Sequence, residues 1–198
     1  MKIAIATANE HKLKEIREIL NCISAELLSL KDFTDVGEIA ETGTSFRENA
    51  LIKANALYQY CGLVTLADDS GLEVDALDGA PGIYSARYAG PGHIQQANNS
   101  KLLKELAGIK ASRRTAQFRC VVAIVGDGYQ KFAEGIVRGS IIKELRGSGG
   151  FGYDPLFVPD GYDRTFAEIG VSTKNKISHR TIAFRQACRL IEKDFSGK

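Results

Sequence analysis

The sequence predicts an α/β protein, a mixed β-sheet with helices on its faces. Two observations carry this. The first 30 residues read as strand, helix, strand, the opening of a crossover unit. Residues 115–141 read as a long antiparallel hairpin, so the sheet is not purely parallel. Lys2–Thr7 (KIAIAT) is a short apolar run with β-branched residues and gives the first strand. Glu10–Leu20 places Leu13, Ile16 and Leu20 at helical spacing. Ala25–Leu30 forms a second strand. Ser45 and Glu48 have the spacing of a capping box, ahead of a helix to about Tyr60 whose apolar face is Ala50, Ala54, Leu57 and Cys61. Leu63–Ala67 is a third strand ending in Asp68-Asp69, and Leu72–Val74 continues extended. Asp78-Gly79 and Pro81-Gly82 make turns. His93–Leu106 reads as a helix with Ile94, Ala97, Leu102 and Leu106 as candidate buried positions. Thr115–Val125 alternates, Gly126-Asp127-Gly128 turns the chain, and Lys131–Ile141 alternates again. A Gly-rich loop, Gly147–Asp154, precedes a short strand at Pro155–Val158. Ser178–Glu192 closes the fold as a helix, with Ile182, Cys188 and Ile191 among its apolar positions.

The chain's 198 residues suit one domain, residues 1–198, or two small lobes sharing one core. Hydrophobic residues at 44% and charged residues at 25% are ordinary for a globular protein and argue against disorder. No apolar run approaches the ~18 residues that cross a bilayer, so no membrane partner is expected. The N-terminal apolar run is too short for a signal peptide. Cys22, Cys61, Cys120 and Cys188 form no CxxC pair and no Cys/His cluster, which argues against a zinc site or a disulfide scaffold. Buried free thiols in a reducing cytoplasm are expected. His11, His93 and His179 show no metal-ligand spacing.

The net charge of +2 hides an asymmetry. Residues 171–198 carry seven basic and two acidic side chains, whereas residues 32–48 hold Asp32, Asp35, Glu38, Glu41 and Glu48 against Arg47 alone. So modest a total argues against a dedicated nucleic-acid binder. An acidic pole and a basic tail suit a metal and a phosphorylated small molecule. Two lobes with a cleft between them would set these segments opposite each other. Plain solvated surface charge is the other reading.

Four segments carry candidate chemistry. Thr7-Ala8-Asn9-Glu10-His11-Lys12 lies where the first strand turns into a helix, whose N-terminal N–H groups attract phosphate, with Asn9 and Lys12 as further donors. It lacks the Gly-Lys-Ser/Thr of a Walker A loop and also reads as an ordinary βα turn. Asp68-Asp69-Ser70-Gly71 follows an apolar strand, where α/β ligand crevices open. Adjacent acids repel unless a cation or donors compensate, and Mg²⁺ takes hard oxygen ligands, so a metal site or a polar turn fits. In Gly147-Ser-Gly-Gly-Phe-Gly-Tyr-Asp154, glycines permit close backbone approach while Phe151 and Tyr153 offer faces for a base. A flexible loop with its aromatics folded inward is the alternative. Lys174, Lys176, His179 and Arg180 form a basic cluster suited to phosphate or to reading an oxygen. Ser178 also reads as a helix N-cap.

Taken in order, TANEHK (Thr7–Lys12), ETGTSFRENALIKA (Glu41–Ala54), ADDSGLEVDALDGAPGIYSARYAG (Ala67–Gly90), GGFGYDPLF (Gly149–Phe157) and SHR (Ser178–Arg180) resemble the inosine triphosphate pyrophosphatase family. The resemblance runs through nearly the whole chain. It implies an elongated α/β fold with a central mixed sheet, two lobes and a substrate cleft between them. It also implies Mg²⁺ dependence, a homodimer, and conversion of ITP, dITP or XTP to monophosphate and pyrophosphate. The family's usual T-G-N-x-x-K departs here at Ala8. Asp69 matches the general base and metal ligand, and Glu41 a second metal-associated acid, with Asp68 helping to hold the metal. Thr7, Ala8, Asn9, Lys12, Ser70, Phe151, Gly152, Tyr153, Asp154, Lys174, His179 and Arg180 match substrate contacts. Arg180 has donors only, so with His179 it is expected to read the six-position oxygen of the base, while Phe151 or Tyr153 stacks on the ring. Rival readings are a related pyrophosphatase acting on modified pyrimidine or methylated nucleotides, and a non-catalytic nucleotide-binding module.

Overall fold

The computed structural model describes residues 1–34, 36–37 and 39–195. Asp35 and Glu38 of the acidic stretch, and the side chain of Cys22, lie outside the described residues. A six-stranded mixed sheet has the order β2-β1-β3-β4-β5-β6. Its strands are β1 Lys2–Ile5, β2 Glu26–Ser29, β3 Val64–Val74, β4 Thr115–Gly126, β5 Tyr129–Ile141 and β6 Phe157–Pro159. The helices are α1 Glu10–Ile19, α2 Phe46–Cys61, α3 Gln95–Glu105, α4 Val171–Ile177 and α5 His179–Phe195. β1 is parallel to both neighbours, pairing Ile5 with Ser29 on β2 and with Leu66 on β3. β5 and β6 are antiparallel, with Ile141 opposite Phe157. The predicted crossover opening and hairpin are both present. No helix among the described residues is long and apolar enough to cross a membrane.

The chain divides into two compact units. The first takes Met1–Asp69, Cys120–Gly135 and the residues from Arg180 onward. The second takes Ser70–Arg119 and Ile136–His179. Strand periodicity builds the first unit, because successive side chains point to opposite faces. Ile3, Ile5, Leu66, Val122 and Ile124 pack with Leu13 and Ile16 of α1 and with Ala183, Phe184, Ala187, Cys188 and Ile191 of α5. The intervening residues Ala4, Ala6, Ala67, Ala123 and Val125 pack with Ala50, Ala54 and Leu57 of α2. One face is therefore bulky and the other is lined mostly by alanine. In the second unit Leu72, Val74, Leu102, Leu106, Tyr153 and Leu156 share a core with an aromatic cluster. Phe118, Phe157 and Phe166 meet there at centroid distances of 4.8–5.9 Å. Buried Arg114 donates to the carbonyls of Leu106, Ile109 and Ile142, closing the C-terminal end of α3.

Several expectations are corrected. β3 does not stop at the acidic pair but runs on through Ser70-Gly71 to Val74, because Leu72 and Val74 have a core of their own to enter. α3 starts at Gln95 rather than His93, whose φ of +52° is not helical. Ile94, expected to be buried, is 62% exposed because it sits at the N-cap; Asn98 and Asn99 are buried instead. Ile182 is exposed, since the inward stripe of α5 is Ala183, Phe184, Ala187, Cys188 and Ile191 and a two-residue offset turns away from it. Cys120 and Cys188 are buried free thiols, but Cys61 is only partly buried. β6 begins two residues late, because Leu156 and Phe157 still turn back onto the Tyr153 carbonyl. The seven-residue α4 was not anticipated. At α2, Ser45 Oγ accepts from Glu48 N as expected, but the Glu48 carboxylate bonds Thr44 rather than Ser45.

Candidate active site

Asp68 and Asp69 are neighbours on a strand, so their carboxylates go to opposite faces of the sheet. Asp68 shares the side of Leu66 and meets α1 and α5. Its Oδ2 accepts from Lys12 Nζ at 3.0 Å, lies 3.5 Å from Arg180 Nη2, and takes a weak contact from the Cys120 thiol at 3.8 Å. Arg180, 1% exposed, also donates to Glu15 Oε2 on α1. Glu15, Arg180, Asp68 and Lys12 thus form one chain of alternating charge, buried up to the half-buried Lys12. Burial alone would raise the Asp68 pKa, but Lys12, Arg180 and Lys53 prevail and hold it far below the ordinary carboxylate range. Asp68 is a permanent anion that fixes two cations.

Asp69 shares the side of Ala67 and meets α2. Its Oδ2 accepts from Asn49 Nδ2 at 3.1 Å, and its Oδ1 lies 3.8 Å from Lys53 Nζ. Lys53 also bonds Glu41. Fully buried Asn49 accepts from Gly43 N at 2.8 Å, which ties the loop after Glu41 to the same cluster. Burial raises the Asp69 pKa; Lys53 and Lys12 oppose this, Glu41 adds to it, and the balance is upward. Burial lowers that of Lys53, but Asp69, Asp68 and Glu41 outweigh it and keep the ammonium charged. Two adjacent carboxyls are therefore split, one held below the ordinary range and one raised above it.

The β1–α1 turn stands at this end of the first unit. Asn9 caps α1, accepting from Lys12 N at 3.1 Å, and its own N–H donates to Thr7 Oγ1 at 3.2 Å. Ala8 is exposed.

The second unit holds the remaining expected residues. Asp154, 2% exposed, accepts from Lys174 Nζ at 2.6 Å and from Phe151 N at 2.9 Å. Lys174 lies 4.6 Å above the Phe151 ring centroid. α4 supplies this lysine. Tyr153 is a core residue whose hydroxyl donates to the Ser85 carbonyl at 2.9 Å, so of the two aromatics only Phe151 keeps an accessible face. His179 is buried and stacks on Phe118 at 4.8 Å. Ser70 is half-buried within β3. Gly150 has a φ of +71°, and a Cβ there would stand 2.1 Å from Asp154 Oδ2. Gly150→Ala is therefore expected to lower stability by about 2–4 kcal/mol through overpacking and left-handed strain. Urea unfolding measures this; an unchanged midpoint would show that Asp154 has room to move.

Sequence reasoning missed Lys53, Asn49 and Glu15. Asn49 and Lys53 are one turn apart on α2, beside Ala50 and Ala54, and two polar residues bordering an inward alanine stripe were the available signal. Glu15 lies between the buried apolar residues Leu13 and Ile16.

A family model described as the Ham1 family matches residues 3–190. A dITP/XTP pyrophosphatase of Desulforamulus reducens is 47% identical over 194 residues, covering 98% of this chain and 96% of that protein. A dITP/XTP pyrophosphatase of Listeria monocytogenes is 49% identical over 194 residues, covering 98% and 94%. The solved structure of a HAM1 protein from Coxiella burnetii is 39% identical with a TM-score of 0.89, covering 98% of this chain and 99% of that one.

Proposed function

Since the chain belongs to the Ham1 family, we propose that it is a hydrolase converting the non-canonical purine nucleoside triphosphates ITP, dITP and XTP to the monophosphate and pyrophosphate. Water attacks the α-phosphorus; an O–P bond forms, the bridging P–O bond to the β-phosphate breaks, and pyrophosphate leaves. The observation that carries this reading is the split pair on β3: Asp69, with a raised pKa, faces the Lys53 ammonium, while Asp68 holds Lys12.

Asp69 takes the proton of the attacking water. Lys12 and Lys53 neutralise the phosphates, and the turn Thr7-Ala8-Asn9 leads into α1, whose first N–H groups serve them as further donors. Among the described residues no group of three or more His, Cys, Asp or Glu side chains is arranged for a metal. Glu41 and Asp69 both face Lys53, however, and Mg²⁺ commonly uses one or two carboxylates with substrate oxygens, so these two fit it. When bound, Mg²⁺ polarises the phosphoryl oxygens and stabilises the leaving pyrophosphate. Asp68 is not proposed as a ligand, because its work is to hold Lys12 and Arg180. Phe151 is the residue proposed to stack on the base, with Asp154 and Lys174 holding its loop, and Ser70, Gly152, Tyr153 and His179 stay proposed as substrate residues. Arg180 is reassigned from reading the base to ordering the phosphate end, given its bonds to Glu15 and Asp68. Cytoplasmic placement and a homodimer through residues 79–90, where Tyr84 is 56% exposed, belong to the same proposal.

Pyrophosphate release from ITP, dITP, XTP, ATP and GTP, with Mg²⁺ and with excess chelator, tests it. Turnover is expected with the first three, at least about tenfold above ATP and GTP, and is lost in chelator. Equal turnover of all five, or full activity in chelator, would sink the assignment.

A further inference from the structure

One helix of the second unit grips the peptide of Gly152 at both ends. Gly152 N donates to Gln95 Oε1 at 2.9 Å, and its carbonyl accepts from Asn99 Nδ2 at 3.0 Å. Gln95 and Asn99 are four residues apart on α3 and face the same way. On the same helix, Asn98 grips a different loop, accepting from Ala89 N at 2.7 Å and donating to the Ala86 carbonyl at 2.9 Å.

Asn99 is 5% exposed, and its Oδ1 has no hydrogen-bond partner among the described residues. Buried polar atoms ordinarily have one. A leucine here would remove that unpaired acceptor but leave the Gly152 carbonyl without its donor, so what the amide contributes is its hold on Gly152. Gly152 is not located by close packing either: its φ is +63°, and nothing lies within 4 Å of the position a Cβ would take. The two amides fix it. The neighbours of Gly152 are fixed separately, Tyr153 through its hydroxyl on Ser85 and Phe151 through its N–H on Asp154.

We propose that Gln95 and Asn99 are positioning residues for base recognition, holding the Gly152 peptide so that the Phe151 ring is preset to receive the purine. The inference rests on the assignment of this loop to the base. Both main-chain polar groups of Gly152 are taken by α3, so its part in binding is to carry Phe151 rather than to hydrogen-bond the substrate.

The test measures pyrophosphate release from ITP and inhibition by inorganic tripolyphosphate, which has the phosphates but no base. Asn99→Leu, Asn99→Asp and Gln95→Met are expected to raise the ITP KM about tenfold, the ratio that one neutral hydrogen bond supplies. Under the same conditions kcat stays within about twofold and tripolyphosphate inhibits as before. Gln95→Glu keeps an acceptor for Gly152 N and is expected to retain the wild-type KM. Asn99→Leu exchanges one unpaired acceptor for another, so its urea midpoint is expected to stay close to that of the wild type. An unchanged KM, or tripolyphosphate inhibition that weakens in step with KM, overturns the inference while leaving the functional reading intact. Absence of ITP turnover in the wild-type protein overturns both.

Discussion

Asp69→Asn is expected to lower kcat for ITP by about 10³–10⁴-fold, the upper range for losing a positioned base, while the protein stays folded. The substitution preserves volume, and Asn49 Nδ2 still finds an oxygen to donate to. Stability follows from the sign of the pKa shift. A carboxyl raised in the folded state by burial weakens folding at any pH where it is ionised, with the loss building between its unfolded value and its folded one. The neutral variant escapes this. Its urea midpoint at neutral pH is expected to equal or exceed that of the wild type, with the difference closing toward acid. Near-wild-type turnover would remove Asp69 from the role of base.

Arg180→Met is expected to cost about 3–5 kcal/mol of stability, the usual result of stripping one partner from a buried ion pair. It leaves Glu15 and Asp68 buried with less compensation, Asp68 keeping Lys12. The depressed pKa of Asp68 contributes stability above its unfolded value, and that contribution disappears as pH falls through the folded one. Part of it belongs to Arg180, so the deficit is expected to be largest near neutrality and to narrow below about pH 4. Glu15→Gln in the same chain should restore some of the loss, because the two changes share one interaction. Activity toward ITP and ATP is expected to fall together, since Arg180 steadies Lys12 through Asp68. A collapse of the ITP:ATP ratio with an unchanged urea midpoint would return Arg180 to reading the base.

Local periodicity made much of the fold legible. KIAIAT, the spacing of Leu13, Ile16 and Leu20, and the alternation on both sides of Asp127-Gly128 each reflect a preference expressed within a few residues. The acidic pair misled because Asp-Asp-Ser-Gly has turn composition, whereas in the structure distant cations on two faces compensate the acids and the strand continues. α4 escaped because seven residues, three of them Lys or Asn, present no period to read. The site was legible where it forms motifs and illegible where it forms pairs. Arg180 and Glu15 are 165 residues apart, and Asn99 reaches across 53 to Gly152. Only the folded chain brings such partners together.

The alternation along β3 also limits how this protein can change over evolutionary time. Gaining or losing one residue between Val64 and Ala67 would leave the letters DDSG untouched, yet with β1 pairing held it would turn each acid toward the other's helix. Asp69, the proposed base, would then stand among the cations that now hold Asp68. Gain or loss of two residues would restore the facing. Length change in this strand is thus filtered by parity, and with Asp69 as the base a homologue carrying an odd shift there is expected to be a pseudoenzyme with an intact signature.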